Sequence, residues 1–428
     1  MKKVNVFWFR RDLRTFDNTG LNKALQSSNP VLPIFIFDEH ILDELPIKDA
    51  RVTFIYKALA AIDKELKKHQ SSLLVLQGKP EEVWQQLFKD YQIQEVFTNK
   101  DYEPYALNRD RAIYKLTKEH QAAFYRFKDQ VIFEEKEIVK EDGNPYTVYT
   151  PYKKKWINKF KNNTLTVSEC SFSNFLHFEA SFPKLSDIGF QETEIELPEF
   201  SPKNIQNYGD NRDYPAKNHT THIGVHLRFG TVSIRKIVVD YGKQNDIYLS
   251  ELIWREFFMQ ILFHFPKVQQ HNFRAKYDAI PWRNNEKEFQ KWCDGQTGYP
   301  MVDAGMRELN TTGYMHNRVR MIVASFLCKH LLIDWKWGEA YFAQKLLDYE
   351  LAANNGNWQW AAGTGCDAAP YFRVFNPTTQ IEKFDKNNEY IKKWIPELND
   401  SNYPKPMVDH KMARERAIST YKKALSTN

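Results

Sequence analysis

The sequence LLDYELAANNGNWQWAAGTGCDAAPYFRVFNPTT, residues 346–379, is the least ordinary part of this chain, and its interpretation decides the fold. It contains adjacent asparagines (Asn354, Asn355), then two tryptophans two positions apart (Trp358, Trp360), then a run of small residues. Large aromatic side chains beside glycine and alanine favour a flat ligand that lies close to the backbone of a pocket. For this window alone, the alternative is a glycine-rich loop packed under aromatic core residues.

Three upstream blocks are similarly unusual. These blocks and the stretch at residues 346–379 all lie where the sequence shows no strand pattern. The blocks are ELIWREF at 251–257, TGYPMVDAGMREL at 297–309 and TGYMHNRVRMIVASFL at 312–327. From about residue 201 to 425 apolar residues recur at helical spacing, which predicts an all-α domain over residues 201–428. GTGCDA at 363–368 matches a dinucleotide-binding pattern in form only, because no strand precedes it.

The first 130 residues alternate short apolar runs with longer helical patterns. Runs at 4–9, 31–37, 72–78, 93–99 and 122–128 predict five buried strands, and apolar residues recur at helical spacing over 54–69 and 80–91. This alternation predicts a doubly wound parallel sheet in an α/β domain of residues 1–130. Residues 131–200 lack periodicity and contain scattered prolines, so we expect an interdomain connection there.

Acidic residues follow two of the predicted strands. Asp38 comes after the second strand, and Asp101 begins the segment DYEPY, which follows the fourth and ends at Tyr105. Doubly wound sheets bind ligands at the carboxyl ends of their strands, so we expect these side chains at a ligand edge. The alternative is that both carboxylates cap helices.

Composition limits the partners, disulfides and metal sites that are compatible with this sequence. The 60 Lys and Arg against 54 Asp and Glu give a net charge of +6, which permits a polyanionic partner without requiring one. Cysteines at 170, 293, 328 and 366 are too scattered for a zinc ribbon or a disulfide framework. His219, His222 and His226 have helical spacing but no HExxH pattern or carboxylate pair nearby, so we expect no metal site. Without a signal peptide or membrane span, we expect a cytoplasmic protein.

Glu251, Trp254 and Arg255 stand at positions i, i+3 and i+4, so a helix places them on one face. A carboxylate, an indole and a guanidinium together form a surface that can hydrogen-bond and stack. The alternative is a salt bridge between helices over a packed tryptophan.

Together these motifs resemble the DNA photolyase/cryptochrome family, and within it the bacterial class I photolyases that repair cyclobutane pyrimidine dimers. The similarity runs from WFRRDLR at 8–14 to FNPTTQ at 375–380 and so covers most of the chain. It implies an all-α FAD-binding domain after the α/β domain. It also implies a carbon–carbon lyase, monomeric, in which light drives electron transfer from reduced FAD to a dimer flipped out of damaged DNA.

The resemblance assigns one set of residues to FAD. Arg320 and Asp348 match a buried ion pair over the flavin, and Asn354 matches the residue that faces its reactive nitrogen, where an amide can donate or accept without titrating. The other implied residues are Tyr208, Thr220, Thr221, His222, Ile223, Gly224, Tyr248, Glu251, Arg255, Asn317, Tyr349 and Glu350. Gly224, Tyr248, Tyr349 and Glu350 depart from the residues common in the family, yet Tyr and Glu keep aromatic and carboxylate chemistry, so we expect FAD to bind.

A second set is implied in binding DNA and the lesion. Its members are Arg212, Glu251, Trp254, Asn317, Arg318, Met321, Trp360, Arg373 and Thr379. Glu251 and Trp254 match the mouth of the lesion cavity, where the carboxyl can bond a thymine edge and the indole can stack on the base. Photolyases for (6-4) lesions place histidine at the position of Asn317, so this asparagine favours cyclobutane dimers.

Four tryptophans also match family positions. The resemblance implies that Trp358, Trp335 and Trp282 relay electrons to the flavin and that Trp360 stacks on the lesion. Residues two apart on a helix point about 200° from each other. One of Trp358 and Trp360 can therefore face the protein interior while the other faces the cavity. The alternative for each tryptophan alone is core packing.

The sheet edge is expected to hold an antenna chromophore. Family members that bind methenyltetrahydrofolate use an Asn-Glu pair and a lysine, where this chain has Tyr105, Ala106 and Gln269. The resemblance therefore favours a deazaflavin or flavin beside Phe37 and Tyr105, with Asp38 or Asp101 accepting its hydrogen bonds. An empty pocket is the alternative.

Two other functions stay open at this point. A cryptochrome-type photoreceptor without repair activity is disfavoured because signalling members often carry a long extension, whereas only residues 381–428 follow FNPTTQ. The second open function is that of a flavin-free DNA-binding module. The yellow colour of the purified protein, or its absence, distinguishes a flavoprotein from such a module.

Overall fold

The structure, a computed structural model, describes residues 2–426, and its contacts divide the chain into two compact units. The first unit takes residues 1–137, 158–200 and 222–243, and the second takes 138–157, 201–221 and 244–428. These units do not coincide with the domains of 1–130 and 201–428, because part of the expected connection and one expected helical segment belong to the first unit.

Five strands and eighteen α-helices make up the regular structure of the described residues. The strands are β1 (Lys3–Phe9), β2 (Val31–Asp38), β3 (Leu74–Gly78), β4 (Gln92–Asn99) and β5 (Ala123–Phe127). The first nine helices are α1 (Thr19–Leu25), α2 (Glu39–Leu42), α3 (Ala50–Lys67), α4 (Pro80–Asp90), α5 (Pro104–Glu119), α6 (Tyr149–Lys161), α7 (Tyr208–Asn211), α8 (Ile223–Phe229) and α9 (Ile234–Tyr241). The others are α10 (Asp246–His264), α11 (Glu286–Cys293), α12 (Pro300–Thr312), α13 (Asn317–Ser325), α14 (Trp335–Lys345), α15 (Leu351–Ala362), α16 (Pro377–Phe384), α17 (Glu389–Trp394) and α18 (His410–Ser426).

The first unit contains the predicted parallel sheet. Its strands run in the order β3-β2-β1-β4-β5, and every pair is parallel, which confirms the doubly wound prediction. β2 is buried at every position, as expected for a strand covered on both faces. From β1 the chain goes on to β2 and β3 on one side of the sheet, and from β4 it goes on to β5 on the opposite side. The direction of the connections therefore reverses between β1 and β4, and sheets of this kind bind ligands at the carboxyl ends of the two strands at such a switch point.

Two segments of the first unit were not expected there. Residues 158–200 pack beside the sheet, where the Leu176 amide donates to the Val31 carbonyl at 2.8 Å. Helices α8 and α9 belong to this unit as well. In α9, Arg235 pairs with Asp17 at 3.0 Å and with Asp129 at 2.8 Å, and both carboxylates are buried. Long-range ion pairs of this kind leave no periodic signal in the sequence.

The prediction that residues 131–200 lack helical structure was wrong at α6. Tyr149, Tyr152 and Trp156 are buried, and they recur at helical spacing between exposed lysines. The Trp156 indole donates to Glu256 at 2.7 Å. The lysine run at 153–155 obscured this apolar stripe in the sequence.

The second unit is helical, as predicted. A large core joins side chains of α11, α12, α13, α14 and α15, among them Trp292, Met301, Val319 and Trp358. Helix α15 packs against α10, α13 and α14, and it carries the tryptophans and asparagines of the stretch from which the prediction began.

Side chains from two other elements satisfy the carboxyl end of α15. The helix ends at Gly363, whose φ of 81° is the left-handed conformation that glycine adopts without strain. The Ala362 carbonyl accepts from Lys329 at 2.6 Å and from the Tyr421 hydroxyl of α18 at 2.8 Å. The glycine therefore ends the helix at this position.

No helix within residues 2–426 combines the length and the apolar content needed to cross a membrane. Likewise, the histidines, cysteines and carboxylates of that range form no group of three that could hold a metal ion.

Gly338 permits the close packing of α14 on α15. A Cβ atom there would overlap the ring of Trp358 and the side chain of Leu327. We predict that Gly338→Ala lowers the free energy of unfolding by about 1–3 kcal/mol, because overpacking displaces rigid neighbours. Chemical denaturation measures the change, and an unchanged midpoint would show that the two helices can separate without cost.

Candidate cofactor and DNA site

One cavity of the second unit collects residues of both predicted sets. It is lined by the start of α13, the loop before α15 and one side of α15 itself. The predicted residues in its wall are Asn317, Arg320, Met321, Asp348, Tyr349, Glu350, Asn354, Trp358 and Trp360. Two stretches of the chain, residues 317–324 and 342–361, therefore meet where the resemblance implied a cofactor beside a lesion.

A guanidinium–carboxylate pair lies in this wall. The Arg320 Nη2 donates to both oxygens of Asp348, at 3.1 and 3.0 Å, and its Nε donates to the Met315 carbonyl at 2.7 Å. Burial lowers the pKa of Arg320, but Asp348 outweighs it, so the pKa is raised and the cation is retained. Arg320 and Asp348 thus form an ion pair in the cavity wall.

Asn354 has a defined orientation in the wall. Its Nδ2 donates to the carbonyl of Glu339 at 3.1 Å and to the Glu339 carboxylate at 2.9 Å. With both N–H groups directed to α14, the amide oxygen is the group left to meet a ligand. Burial raises the pKa of Glu339, and the hydrogen bond from Asn354 opposes that shift. Sequence reasoning missed Glu339, since a lone acidic residue in a helix carries no signal of its partner.

The helical face of Glu251, Trp254 and Arg255 forms on α10 as predicted, but each side chain has a partner. Glu251 accepts from Arg212, and Arg255 pairs with Glu350 at 3.5 Å. The alternative of interhelical salt bridges therefore also holds here, and the two descriptions do not exclude each other.

The Trp254 ring is itself half of a stack. Tyr149 lies parallel to it at a centroid distance of 3.6 Å and an angle of 8°. Phe258 lies 5.4 Å from the same ring at an angle of 30°, so both neighbours restrict where a base can stack on the indole. Tyr149 was missed because it lies in the connection that we expected to be irregular.

Hydroxyl and aromatic groups cluster around Tyr248. Its ring meets Tyr208 edge to face at 5.1 Å, and its hydroxyl lies 3.4 Å from the Thr221 hydroxyl. The Thr220 hydroxyl lies 3.0 Å from that of Tyr314. Residues 222–224, which the resemblance also assigned to FAD, belong to the first unit, where His222 precedes α8 with a left-handed backbone.

The remaining DNA candidates lie at the surface of the second unit. Arg318 pairs with Asp213 at 2.7 Å and stacks over Phe384 at 4.4 Å. Arg373 and Thr379 are exposed, in the loop after α15 and at the start of α16. Their side chains are available to a polyanion without any change in the core.

The three relay tryptophans belong to one packed cluster. Trp358 and Trp335 are buried members of the core, at 2% and 1% exposure, and Trp282 packs on its edge partly exposed. The Trp335 indole donates to Asn272 at 2.9 Å. Exposure thus increases from Trp358, which lines the cavity, towards Trp282, which meets solvent.

The sheet edge of the first unit brings the antenna candidates together. The Tyr105 hydroxyl donates to Asp38 at 2.5 Å, and Phe37 is buried beside them. Asp101 pairs with Arg11 at 3.2 Å. Although burial opposes it, the surrounding guanidinium groups lower the pKa of Asp101 to about 2, so this carboxylate is ionised at neutral pH.

The helix-cap alternative is also present at this edge. Asp38 accepts from the His40 amide at the start of α2 at 3.1 Å. Arg109, which sequence reasoning missed, has a side chain only 9% exposed; its Nη2 forms an ion pair with Asp110 at 3.5 Å, and within residues 2–426 its Nε has no hydrogen-bond partner. Buried donors of this kind are costly unless an acceptor is supplied.

Comparisons with known proteins agree with this geometry. Residues 5–170 match the family model described as DNA photolyase, and residues 248–402 match that of the FAD binding domain of DNA photolyase. The deoxyribodipyrimidine photo-lyase of Halobacterium salinarum is 36% identical over 479 residues, covering 98% of this chain and 99% of that protein.

Two solved structures extend the similarity to the fold. An archaeal photolyase from Sulfolobus tokodaii, described with two FAD molecules, matches with a TM-score of 0.87 and 36% identity over 98% of this chain and 100% of its own. A bacterial class III photolyase from Agrobacterium tumefaciens matches with a TM-score of 0.87 and 32% identity over 100% of this chain and 98% of its own.

Proposed function

This chain belongs to the DNA photolyase family, and from that premise we propose that it splits cyclobutane pyrimidine dimers. Membership makes it a light-dependent DNA repair lyase with an FAD-binding domain. The observation that carries the dimer assignment is the shared cavity, in which Asn317, Met321 and Trp360 line the same space as Arg320 and Asn354. A substrate base in that cavity lies next to the cofactor.

The residues of the cavity fit a flavin. Arg320 with Asp348 offers a charged pair, Asn354 offers an acceptor, and Ala353 leaves space for a flat ring. When bound, reduced FAD supplies the light-excited electron that splits the dimer. The chain's own part is to hold the ring beside the base, to keep Asn354 oriented through Glu339, and to exclude water.

We propose that the lesion is held by groups at the open side of this cavity and on α10. Trp360 and Trp254 stack on bases, which every base permits because each has a π face. Arg212 holds one oxygen of Glu251 and leaves the other to accept from a base edge. Arg318, Arg373 and Thr379 contact the phosphate backbone, the sequence-independent part of DNA binding. One chain supplies all of these groups, which favours a monomer.

The sheet edge is proposed as the antenna site. The pair of Tyr105 with Asp38, the ionised Asp101 and the buried Nε–H of Arg109 offer both donors and acceptors to a flat chromophore. That set fits a flavin or deazaflavin better than a folate. A DNA substrate and four free cysteines are consistent with action in the cytoplasm.

Repair of defined lesions tests the main proposal. Protein loaded with reduced FAD is expected to restore a thymine-dimer oligonucleotide under blue light, with no repair in the dark and little repair of a (6-4) product. Preferential repair of the (6-4) product would overturn the lesion assignment. Failure to repair either lesion, with FAD bound, would favour a photoreceptor.

The tryptophan cluster yields a second test. We predict that Trp335→Phe folds, binds FAD and repairs dimers when chemically reduced, but photoreduces slowly with an external donor. Phenylalanine keeps the packing but lacks the readily oxidised indole. Time-resolved absorption measures the rate, and Trp84→Phe, a buried tryptophan of the first unit, is the matched control. Equal rates in both variants would leave Trp335 as a core residue only.

Chromophores released from protein made in its native host test the antenna site. We expect a flavin or deazaflavin in addition to the FAD of the helical unit, and Asp101→Asn is expected to lower the amount of that second chromophore alone. Recovery of FAD without a companion would support an empty site, whereas recovery of a folate would contradict the assignment.

A further inference from the structure

Helix α15 presents two stripes of side chains to the cavity. In each stripe the residues stand at i, i+4 and i+7, and the stripes lie about 100° apart around the helix axis. One stripe consists of Asn354, Trp358 and Ala361, and the other of Ala353, Asn357 and Trp360, and all six side chains line the cavity.

The two stripes differ in burial. Asn354, Trp358 and Ala361 are 8%, 2% and 6% exposed, whereas Ala353 and Trp360 are half-buried and Asn357 is exposed. A molecule that enters from solvent therefore meets the second stripe first. Asn357 stands one turn from Trp360 on that stripe, so it belongs to the side of the cavity where a base arrives.

A hydrogen bond fixes which end of the Asn357 amide faces outward. Its Nδ2 donates to the Ala353 carbonyl at 2.8 Å, and a carbonyl can receive only the NH2 end. The same nitrogen keeps one further N–H, and the Oδ1 atom is the acceptor that a donor on a ligand can use. Asn357 thus presents a hydrogen-bond acceptor at the mouth of the cavity, and it does so without carrying a charge.

A thymine dimer places two donors in the same space. Each thymine has an N3–H group, and a donor taken out of water without a partner costs free energy. Glu251 can satisfy one N3–H through its oxygen that Arg212 leaves open, so the second N3–H needs another acceptor, and the cavity wall offers the amide oxygens of Asn357 and Asn317. Cytosine, by contrast, has an unprotonated N3 that accepts hydrogen bonds and would face Oδ1 lone pair to lone pair.

We propose that Asn357 is a specificity-determining residue that accepts the N3–H of one base of the dimer and so favours thymine over cytosine at that position. The inference rests on the proposed function, because it uses the assignment of Trp360 to the lesion. It adds a reader of base identity that neither the family resemblance nor the predicted lesion set contained.

Binding in the dark tests the inference without any photochemistry. The holoprotein is titrated with oligonucleotides that carry a thymine dimer, the same dimer methylated at N3 of the 5′ or the 3′ base, or no lesion. We expect methylation of one of the two bases to weaken wild-type binding about 5-fold or more, the size expected for one hydrogen bond. Asn357→Ala is expected to weaken binding of the unmodified dimer by a similar factor.

The decisive quantity is the coupling between the two changes. If Asn357 accepts that N3–H, methylation costs the alanine variant much less than it costs the wild type, so the effects are not additive. Asn162→Ala is the matched control, because Asn162 makes the same hydrogen bond to the carbonyl four residues back, Asn158, at 3.0 Å on an exposed helix surface. An unchanged flavin spectrum in each variant shows that the cavity is intact.

The outcomes distinguish a failure of this inference from a failure of the proposed function on which it rests. Additive effects for both methylated bases, or full affinity in Asn357→Ala, would overturn the role of Asn357 while leaving dimer recognition in place. A wild-type protein that binds dimer and intact oligonucleotides equally would instead overturn the proposed function. A dimer with cytosine at the position read by Asn357 should bind more weakly than the thymine dimer to the wild type, but not to the alanine variant.

Discussion

The close approach of α14 and α15 is the constraint on which the site depends. Because Gly338 has no side chain, the ring of Trp358 fills the space where one would lie, and α15 is held in a fixed rotation about its axis. That rotation decides which residues of α15 are buried and which are open. Once it is set, Asn354 faces Glu339 and Trp360 faces the cavity, so a single helix carries residues of both the FAD set and the lesion set that we propose.

Charge pairing is the second requirement of this site. Arg320, Arg255 and Arg212 each lie near the cavity, and each has a carboxylate partner on another segment of the chain. An unpaired buried guanidinium would cost several kcal/mol, whereas a paired one holds two segments in register. The pairs thus fix positions more than they add stability, which suits a cavity that must receive a large flat ligand.

Much of this was predictable from sequence, for physical reasons that differ between the parts. The strands of the sheet are short apolar runs bounded by polar residues, so β1 and β2 were found within a residue or two. The cavity residues were found because the resemblance supplied a three-dimensional frame for Arg320, Asp348 and Asn354. Helix α6 was not recognised, because its apolar stripe is interrupted by lysines. Pairs distant in sequence, such as Asn354 with Glu339 or Arg235 with Asp17, were not predicted either.

The end of α15 has a consequence for how the protein is made. The last helix, α18, supplies Tyr421, whose hydroxyl completes the hydrogen bonding of the Ala362 carbonyl. During synthesis the N-terminal sheet can fold while the rest of the chain is still being translated, as domains generally do. The helix that carries the site therefore obtains this hydrogen bond only after α18, 59 positions further along the chain, has been synthesised.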